Sequence, residues 1–539
     1  MASWCIRRGD ERVLEPSVGD GVFVGAVDLA ARGRGLDGAD ITGVEIAVDT
    51  YMGIVGQGLL PPDKAILSDF LAVQPFPVDV VIGNPPYVRL RHLPTADASR
   101  ARTAAARVLG KPMEPDGSVW MPFVLHAAEF LAPGGRLALV LPYDATYVRY
   151  ARPLWRYLAD NFRSVKVIRI HERVFPDILQ EVILLLADGR GGWTHEIDFE
   201  AFATPAHLAG DEAIGRGSVN VDRVVDGDRA FVEALLPTAL VELMREKVMP
   251  GTDEVRKSVS FNIGYVSGDK KFFHPGNETI KRYALPTESL VGAVTSSRLA
   301  RQNGIRTSGL PAESVSRLFL PPAGDDELTA GERKYIRWGV ETGVSNRYKC
   351  RVRNPWYVTP DVRRPALLLP VFADRPVLLI NDAGLTASNS LLVGTVRSGN
   401  AEAFAAAWYT TLTLLEVELR VHSLGGGVMI FIPGEAGSIR VAKANVDAGH
   451  LEKVEALVKE DHVDEAYRLG DQPVLTGALG LTSAETALVA EGVSTLRYWR
   501  SSRPKGSGLV EDVPEDEALL EGADQAVDEG VDAHVEVRH

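Results

Sequence analysis

The stretch Val78-Asp79-Val80-Val81-Ile82-Gly83-Asn84-Pro85-Pro86-Tyr87 decides how the first half of the chain is read. Residues 78–82 are rich in valine and isoleucine and barely alternate, which predicts a strand covered on both faces. Two successive prolines then restrict the backbone and remove two donors, leaving the Asn84 side chain and the Pro85 carbonyl as acceptors on a rigid loop. Six more runs of similar texture flank it, at 11–15 (ERVLE), 41–46 (ITGVEI), 65–68 (AILS), 136–141 (RLALVL), 165–170 (VKVIRI) and 182–187 (VILLLA). Helical stretches at 22–32, 47–56, 120–131 and 150–161 lie between them, the third closed by Pro133-Gly134-Gly135. Strand and helix in alternation predict an α/β, Rossmann-like, doubly wound sheet of seven strands over residues 1–190.

After Gly189-Arg190-Gly191-Gly192 the strands shorten and turns and arginines multiply. A connecting region at 191–249, a mixed or mainly β domain at 250–440, a helical stretch at 441–507 and an acidic tail at 508–539 are expected. With 539 residues and 45% hydrophobic content, more than one core is needed. No run approaches the roughly 20 apolar residues of a membrane span, and the N-terminus lacks a signal peptide's apolar core, so a cytoplasmic protein is expected. Cys5 and Cys350 stand alone, which argues against a disulfide framework and a zinc centre; no metal is expected. The net charge of −14 first argues against a nucleic-acid partner, but it is unevenly placed. Residues 508–539 hold eleven carboxylates against Arg538, so the tail carries −10 and the rest is near neutral.

In open α/β sheets ligands bind at the carboxyl ends of strands. The first strand ends in Glu15-Pro16-Ser17-Val18-Gly19-Asp20-Gly21-Val22-Phe23, whose glycines permit close backbone approach and whose following helix offers free amides. The second ends at Glu45, an acceptor for both hydroxyls of a ribose, and the third at Asp69-Phe70, a carboxylate for an adenine amino group beside a ring able to stack. An exocyclic amine donates two hydrogen bonds. If Asn84 and the Pro85 carbonyl accept both, the nitrogen lone pair turns out of the ring plane and can attack an electrophilic methyl in line. Tyr87 is then placed to stack on a base extruded from its duplex.

These residues and their order resemble the motifs of the class I amino-methyltransferases, in particular the TaqI-like, gamma-type adenine-N6 DNA methyltransferases. The resemblance implies S-adenosylmethionine as cofactor, with Glu15, Pro16, Ser17, Gly19, Gly21 and Phe23 in its loop, Glu45 on the ribose, and Asp69 and Phe70 on the adenine. It implies Asn84, Pro85, Pro86 and Tyr87 as the catalytic loop, and Phe175, in Arg173-Val174-Phe175-Pro176, as the ring on the other face of the target base. The segments 263–273, 348–357, 387–390 and 424–427 resemble that family's C-terminal specificity domain. Lys270, Lys271, Arg298, Arg301, Arg347, Arg351 and Arg353, with Arg89, Arg91 and His92 just past the catalytic loop, are candidates for phosphate contacts. The partners implied are double-stranded DNA and a separate restriction or defence subunit, in a nucleoid-associated protein.

Family members usually open with a Thr-Pro segment and helix that cover the methionine end of the cofactor, whereas only Met1 to Arg8 precede the first strand here. Either the assigned start lies too far downstream, or another chain supplies the cover, or cofactor affinity is poor. Pro176-Asp177 with Glu181 is an incomplete nuclease pattern lacking its lysine. Protein glutamine-N5 methylation uses a similar loop, and a DNA-binding specificity subunit that has kept the fold is the non-enzymatic alternative. The long second half favours DNA over either protein or RNA.

Overall fold

The computed structural model describes residues 1–115, 117–173, 181–296, 298, 302–423, 427–444, 446–447 and 449–501, which form two compact units divided between Leu235 and Leu236. Phe175, Arg301, most of the 424–427 segment and the acidic tail lie outside the described residues.

The first unit is built on β1 (Arg12–Glu15), β2 (Asp40–Glu45), β3 (Ala65–Leu67), β4 (Val78–Gly83), β5 (Leu131–Pro142), β6 (Phe162–Ile170), β7 (Val182–Arg190), β8 (Glu196–Phe202) and β9 (Gly215–Asn220). Their order is β3-β2-β1-β4-β5-β7-β6-β8-β9. The five strands from β3 to β5 run parallel, β7 runs antiparallel to both neighbours, and β8 lies parallel to β6. Two expectations need correction. The sheet has nine strands where seven were expected, because β8 and β9 come from the supposed connecting region; β8 alternates inside and outside along EIDFEAF, and β9 is mostly exposed. The compact unit accordingly extends to Leu235 rather than residue 190.

The helices of this unit are α1 (Ala2–Cys5), α2 (Val22–Arg32), α3 (Val48–Gly56), α4 (Thr95–Leu109), α5 (Trp120–Glu129) and α6 (Arg152–Asn161), followed by short turns of helix between residues 205 and 233. Helix α2 buries Val24, Val27 and Ala31, the spacing of one helical face, against Val13, Val80, Ile82, Ala138 and Val140 of the sheet. Helix α5 is apolar all round, and every residue from Trp120 to Ala128 is buried. Its expected end at 131 moves back, because Leu131 already pairs with Val78 and Gly134 turns at φ +78°. At the opposite end of the strands from the candidate site, the buried Glu11 carboxylate pairs with Arg136 and accepts the Arg7 amide at 2.8 Å.

β1 and β4 are adjacent, yet the chain runs outward from β1 through β2 to β3 and then returns to lay β4 on the other side of β1. This is a topological switch point, where the loops above two neighbouring strands part and leave a crevice.

The second unit contains a four-stranded sheet of Val259–Ile263, Leu391–Val396, Leu367–Pro370 and Leu379–Ile380, smaller sheets, and helices that include Ala330–Glu341, Thr411–Arg420 and Ser483–Arg500. It is mixed, and the C-terminal helices pack into it: Gly492 of the last helix lies against Leu240 and Leu415. Its aromatic core is centred on Phe272, whose ring stacks on Tyr335 at 4.7 Å and 3°. Gly264 lies where two chain segments almost touch, since a Cβ there would sit 2.2 Å from the Ser388 carbonyl oxygen and 2.4 Å from that of Ala387. The backbone cannot yield cheaply, so Gly264→Ala is expected to destabilise this unit by about 3 kcal/mol, read as a lower urea midpoint with unchanged slope.

Candidate active site

Four strand ends meet around the switch point. Above β1 the chain turns through Gly19 and Gly21 at φ +52° and +75°, conformations that favour glycine, and Gly21 is the residue preceding α2. Ser17 Oγ donates to the Asn84 carbonyl at 2.9 Å, tying the loop above β1 to the loop above β4. Pro16 and Pro85 are buried, Pro86 is exposed, and Phe23 is half-buried against the sheet core.

Glu15 is 1% exposed, and neither of its carboxylate oxygens has a hydrogen-bond partner. Burial pushes its carboxyl up to about 9; the Val24 amide nearby, which forms no hydrogen bond of ordinary geometry with it, offsets little of this, and the negative charge of Glu45 acts in the same direction as burial. An orphaned carboxylate of this kind is held at a cost, which a ligand cation placed beside it offsets. Glu45 is better satisfied: its Oε2 accepts the Gly19 amide at 3.0 Å, and its Oε1 accepts the Ile46 and Ala47 amides at 2.9 and 2.8 Å. These bonds fix the carboxylate above β2 and leave it lone pairs for hydroxyl donors. Together, Glu15, the glycine turn and Glu45 suit a ligand that carries a cationic amine and a ribose.

Asp69 accepts the Leu71 amide at 2.9 Å and is paired with Arg100 of α4 at 2.5 Å. Arg100 therefore competes with any adenine amino group for this carboxylate. Phe70 departs further from expectation. Its ring is 2% exposed, 4.7 Å from Phe123, 4.8 Å from His126 and 5.3 Å from Phe130, so core packing has taken the faces expected to stack on a base.

The Asn84 loop is held by its own hydrogen bonds. Tyr87 is half-buried, and its hydroxyl lies 2.6 Å from Asn84 Oδ1 and 3.1 Å from the Val140 carbonyl oxygen, both acceptors. Burial, with the Asp144 charge behind it, pushes the phenol well above its ordinary range, so it keeps its proton and remains a donor. In this arrangement the Tyr87 hydroxyl occupies Asn84 Oδ1, the oxygen expected from the sequence to act as an acceptor. Asp144, buried just beyond β5, was not singled out from the sequence because an acid in a Pro-Tyr-Asp turn reads as surface. The neighbouring Tyr143 lies under the Arg169 guanidinium at 3.9 Å, and Arg169 reaches Glu181 at 3.0 Å, so Glu181 belongs to an ion pair.

Of the candidate cations, Arg91, Lys270, Lys271, Arg298 and Arg351 are exposed. Arg89 is half-buried, with its guanidinium 5.9 Å from the Tyr150 ring. Arg91 Nε donates to His92 at 3.3 Å. Arg347 pairs with Asp269 at 3.0 Å while keeping half of its side chain exposed. Arg353 requires a correction: it donates to the Ser267 and Val266 carbonyls at 2.9 and 2.6 Å and holds a turn, and burial lowers its pKa. Its fork is committed to the backbone and is not offered to phosphates.

Fold and site define a class: a doubly wound α/β domain whose acidic, glycine-turned pocket faces a proline-rigid amide loop, followed by a mixed second unit. Residues 71–175 match the family described as Eco57I restriction-modification methylase, and residues 228–475 match the C-terminal domain of the Type II methyltransferase M.Eco57I. The chain is similar to the Type II methyltransferase M.PaeR7I of Pseudomonas aeruginosa, 25% identical over 84% of this chain and 85% of that one. It is also similar to the Type II methyltransferase M.BstVI of Geobacillus stearothermophilus, 25% identical over 30% of this chain, a match spanning only 34% of that relative's length. Among solved structures, the Type IIL restriction-modification enzyme MmeI, solved in complex with DNA, shares the fold at a TM-score of 0.50 and 11% identity, over 91% of this chain and 73% of that one. Similarity to restriction-modification methyltransferases therefore extends over both units. No helix among the described residues is long and apolar enough to cross a membrane.

Proposed function

We propose that the chain is a site-specific DNA methyltransferase that uses S-adenosylmethionine to methylate the N6 amino group of an adenine flipped out of duplex DNA, within a restriction-modification or defence system. The observation that carries the reading is the Ser17 to Asn84 bond, which fastens the pocket holding the orphaned Glu15 to the Asn84-Pro85-Pro86-Tyr87 loop. The donor set fits the cofactor: Glu15 for its ammonium group and Glu45 for its ribose. When bound, the cofactor supplies an electrophilic methyl on a sulfonium.

The chain's own residues do the rest. Asn84 Oδ1 and the Pro85 carbonyl accept the two amine hydrogens, turn the nitrogen lone pair toward the methyl and stabilise the positive charge that develops on that nitrogen. With the cofactor bound, the amine would take its methyl as the S–C bond breaks, and the surplus amine proton would leave to solvent. For this to happen the Tyr87 hydroxyl must release Asn84, which swings the ring toward the extruded base, with Phe175 as the proposed ring on the other face. Arg89, Arg91, Lys270, Lys271, Arg298, Arg301, Arg347 and Arg351 are proposed to meet the phosphates.

Labelled S-adenosylmethionine incubated with duplex DNA, followed by identification of the modified base, tests the reading. Label as N6-methyladenine supports it; label only in protein, or none with cofactor bound, sinks it. Tyr87→Phe keeps the ring and removes the competing donor. It should lower kcat less than about tenfold, whereas Tyr87→Ala, which also loses stacking, should lower it by about 100-fold.

A further inference from the structure

We infer that Tyr348 and Val352 form an apolar contact point for duplex DNA, set within a basic surface of the second unit; the inference rests on the proposed DNA substrate. Tyr348 is 60% exposed and Val352 62%, and they stand four residues apart, on one face of the short helix Tyr348–Arg351 and the residue that follows it. Large apolar side chains left in water this fully are ordinary when scattered singly. Here they are presented together on an anchored turn. The turn is fastened from beneath by Cys350, which is fully buried and packs against Gly268, and by Arg353, which grips the Val266 and Ser267 carbonyls. With the inner residues fixed, 348 and 352 are held outward.

The surroundings state the sign of the partner. Residues 330–364 contain nine lysines and arginines against three acids, one of them the buried Glu332; Arg353 is committed to backbone carbonyls and Arg347 pairs with Asp269 while half exposed, and Arg351 stands exposed beside Tyr348. The Arg351 guanidinium lies 5.5 Å from the Tyr348 ring, which stiffens the ring while leaving the charge exposed. An aromatic and a branched aliphatic tip beside an exposed guanidinium match a polyanion that also offers apolar base and sugar surface.

Anisotropy of a fluorescein-labelled, random-sequence duplex with the full chain tests this. Tyr348→Ala should weaken binding about tenfold with an unchanged salt slope, Tyr348→Phe should stay within about twofold, and Arg351→Ala should lower the slope by about one. Should Tyr348→Ala fail to fold, the wild-type chain cross-linked to bromouracil-substituted duplex decides: the adduct is expected on the peptide carrying Tyr348. If wild-type protein binds duplex but Tyr348→Ala binds equally well, or adducts form only elsewhere, the inference is overturned and the proposed function stands. If wild-type protein binds cofactor and no duplex, both fall.

Discussion

Asn84→Ala should cost on the order of 10³ in the rate of methyl transfer while leaving cofactor affinity within about twofold. In the proposed mechanism the side chain supplies one of the two acceptors that turn the amine lone pair, and the Asn84 carbonyl cannot replace it, since it already takes Ser17 Oγ at 2.9 Å. Asn84→Asp, which still presents an acceptor oxygen, should recover part of the rate. Loss of fold is not expected to account for the defect. In the alanine variant the Tyr87 hydroxyl keeps the Val140 carbonyl at 3.1 Å, so stability should fall by only about 1 kcal/mol. Single-turnover transfer of labelled methyl to DNA, with a thermal melt of each variant, is the measurement. An alanine variant that transfers at near wild-type rates would remove the loop from the chemistry.

The second large effect concerns Glu15 and changes sign with ligand. An ordinary glutamate titrates near 4.5, whereas burial holds Glu15 at about 9 in the fold. Between those values the folded chain binds one more proton than the unfolded chain, so without ligand the stability falls as pH rises from 4.5 to 9 and levels off above. Glu15→Gln has no such titration and should exceed wild type by about 3 kcal/mol at pH 7, with the gain vanishing below pH 4.5. A bound cation reverses the preference. It favours the carboxylate, so binding releases a proton and cofactor affinity should climb with pH up to about 9 in wild type, and stay flat and about 100-fold weaker in Glu15→Gln. Calorimetry in two buffers of different ionisation enthalpy reads the released proton. A pH-independent wild-type affinity would place the ligand's charge elsewhere.

Sequence reasoning succeeded in the strand and helix pattern of the first unit. Helix α2 falls at residues 22–32 as its periodicity predicts, and each of the seven predicted runs falls on a strand of the sheet, because strands covered on both faces are written as short Val, Ile and Leu runs. Helix α4 was missed for an equally physical reason. Its buried stripe is Ala98, Ala101, Ala104 and Ala105, too weakly apolar to register as a period, and with it went Arg100, the partner of Asp69. Strand β9 was missed because an exposed sheet edge reads as polar connection, and β8 because its alternation of buried and exposed residues lacks a continuous apolar run.

The sequence by itself determined the strand-helix alternation, the residues standing at the strand ends, and the rigid loop from Asn84 to Tyr87, since all are local properties of chain stiffness and side-chain pattern. The tertiary structure alone decided what those residues touch. It buried the Phe70 ring among Phe123, His126 and Phe130, turned Arg353 onto backbone carbonyls, and set the Tyr87 hydroxyl on Asn84. It also placed β4 beside β1, which brings Glu15 and Asn84, 69 residues apart in the chain, to one crevice. Such contacts depend on strand order and on competition between neighbours for the same surface, and neither is written in any one segment.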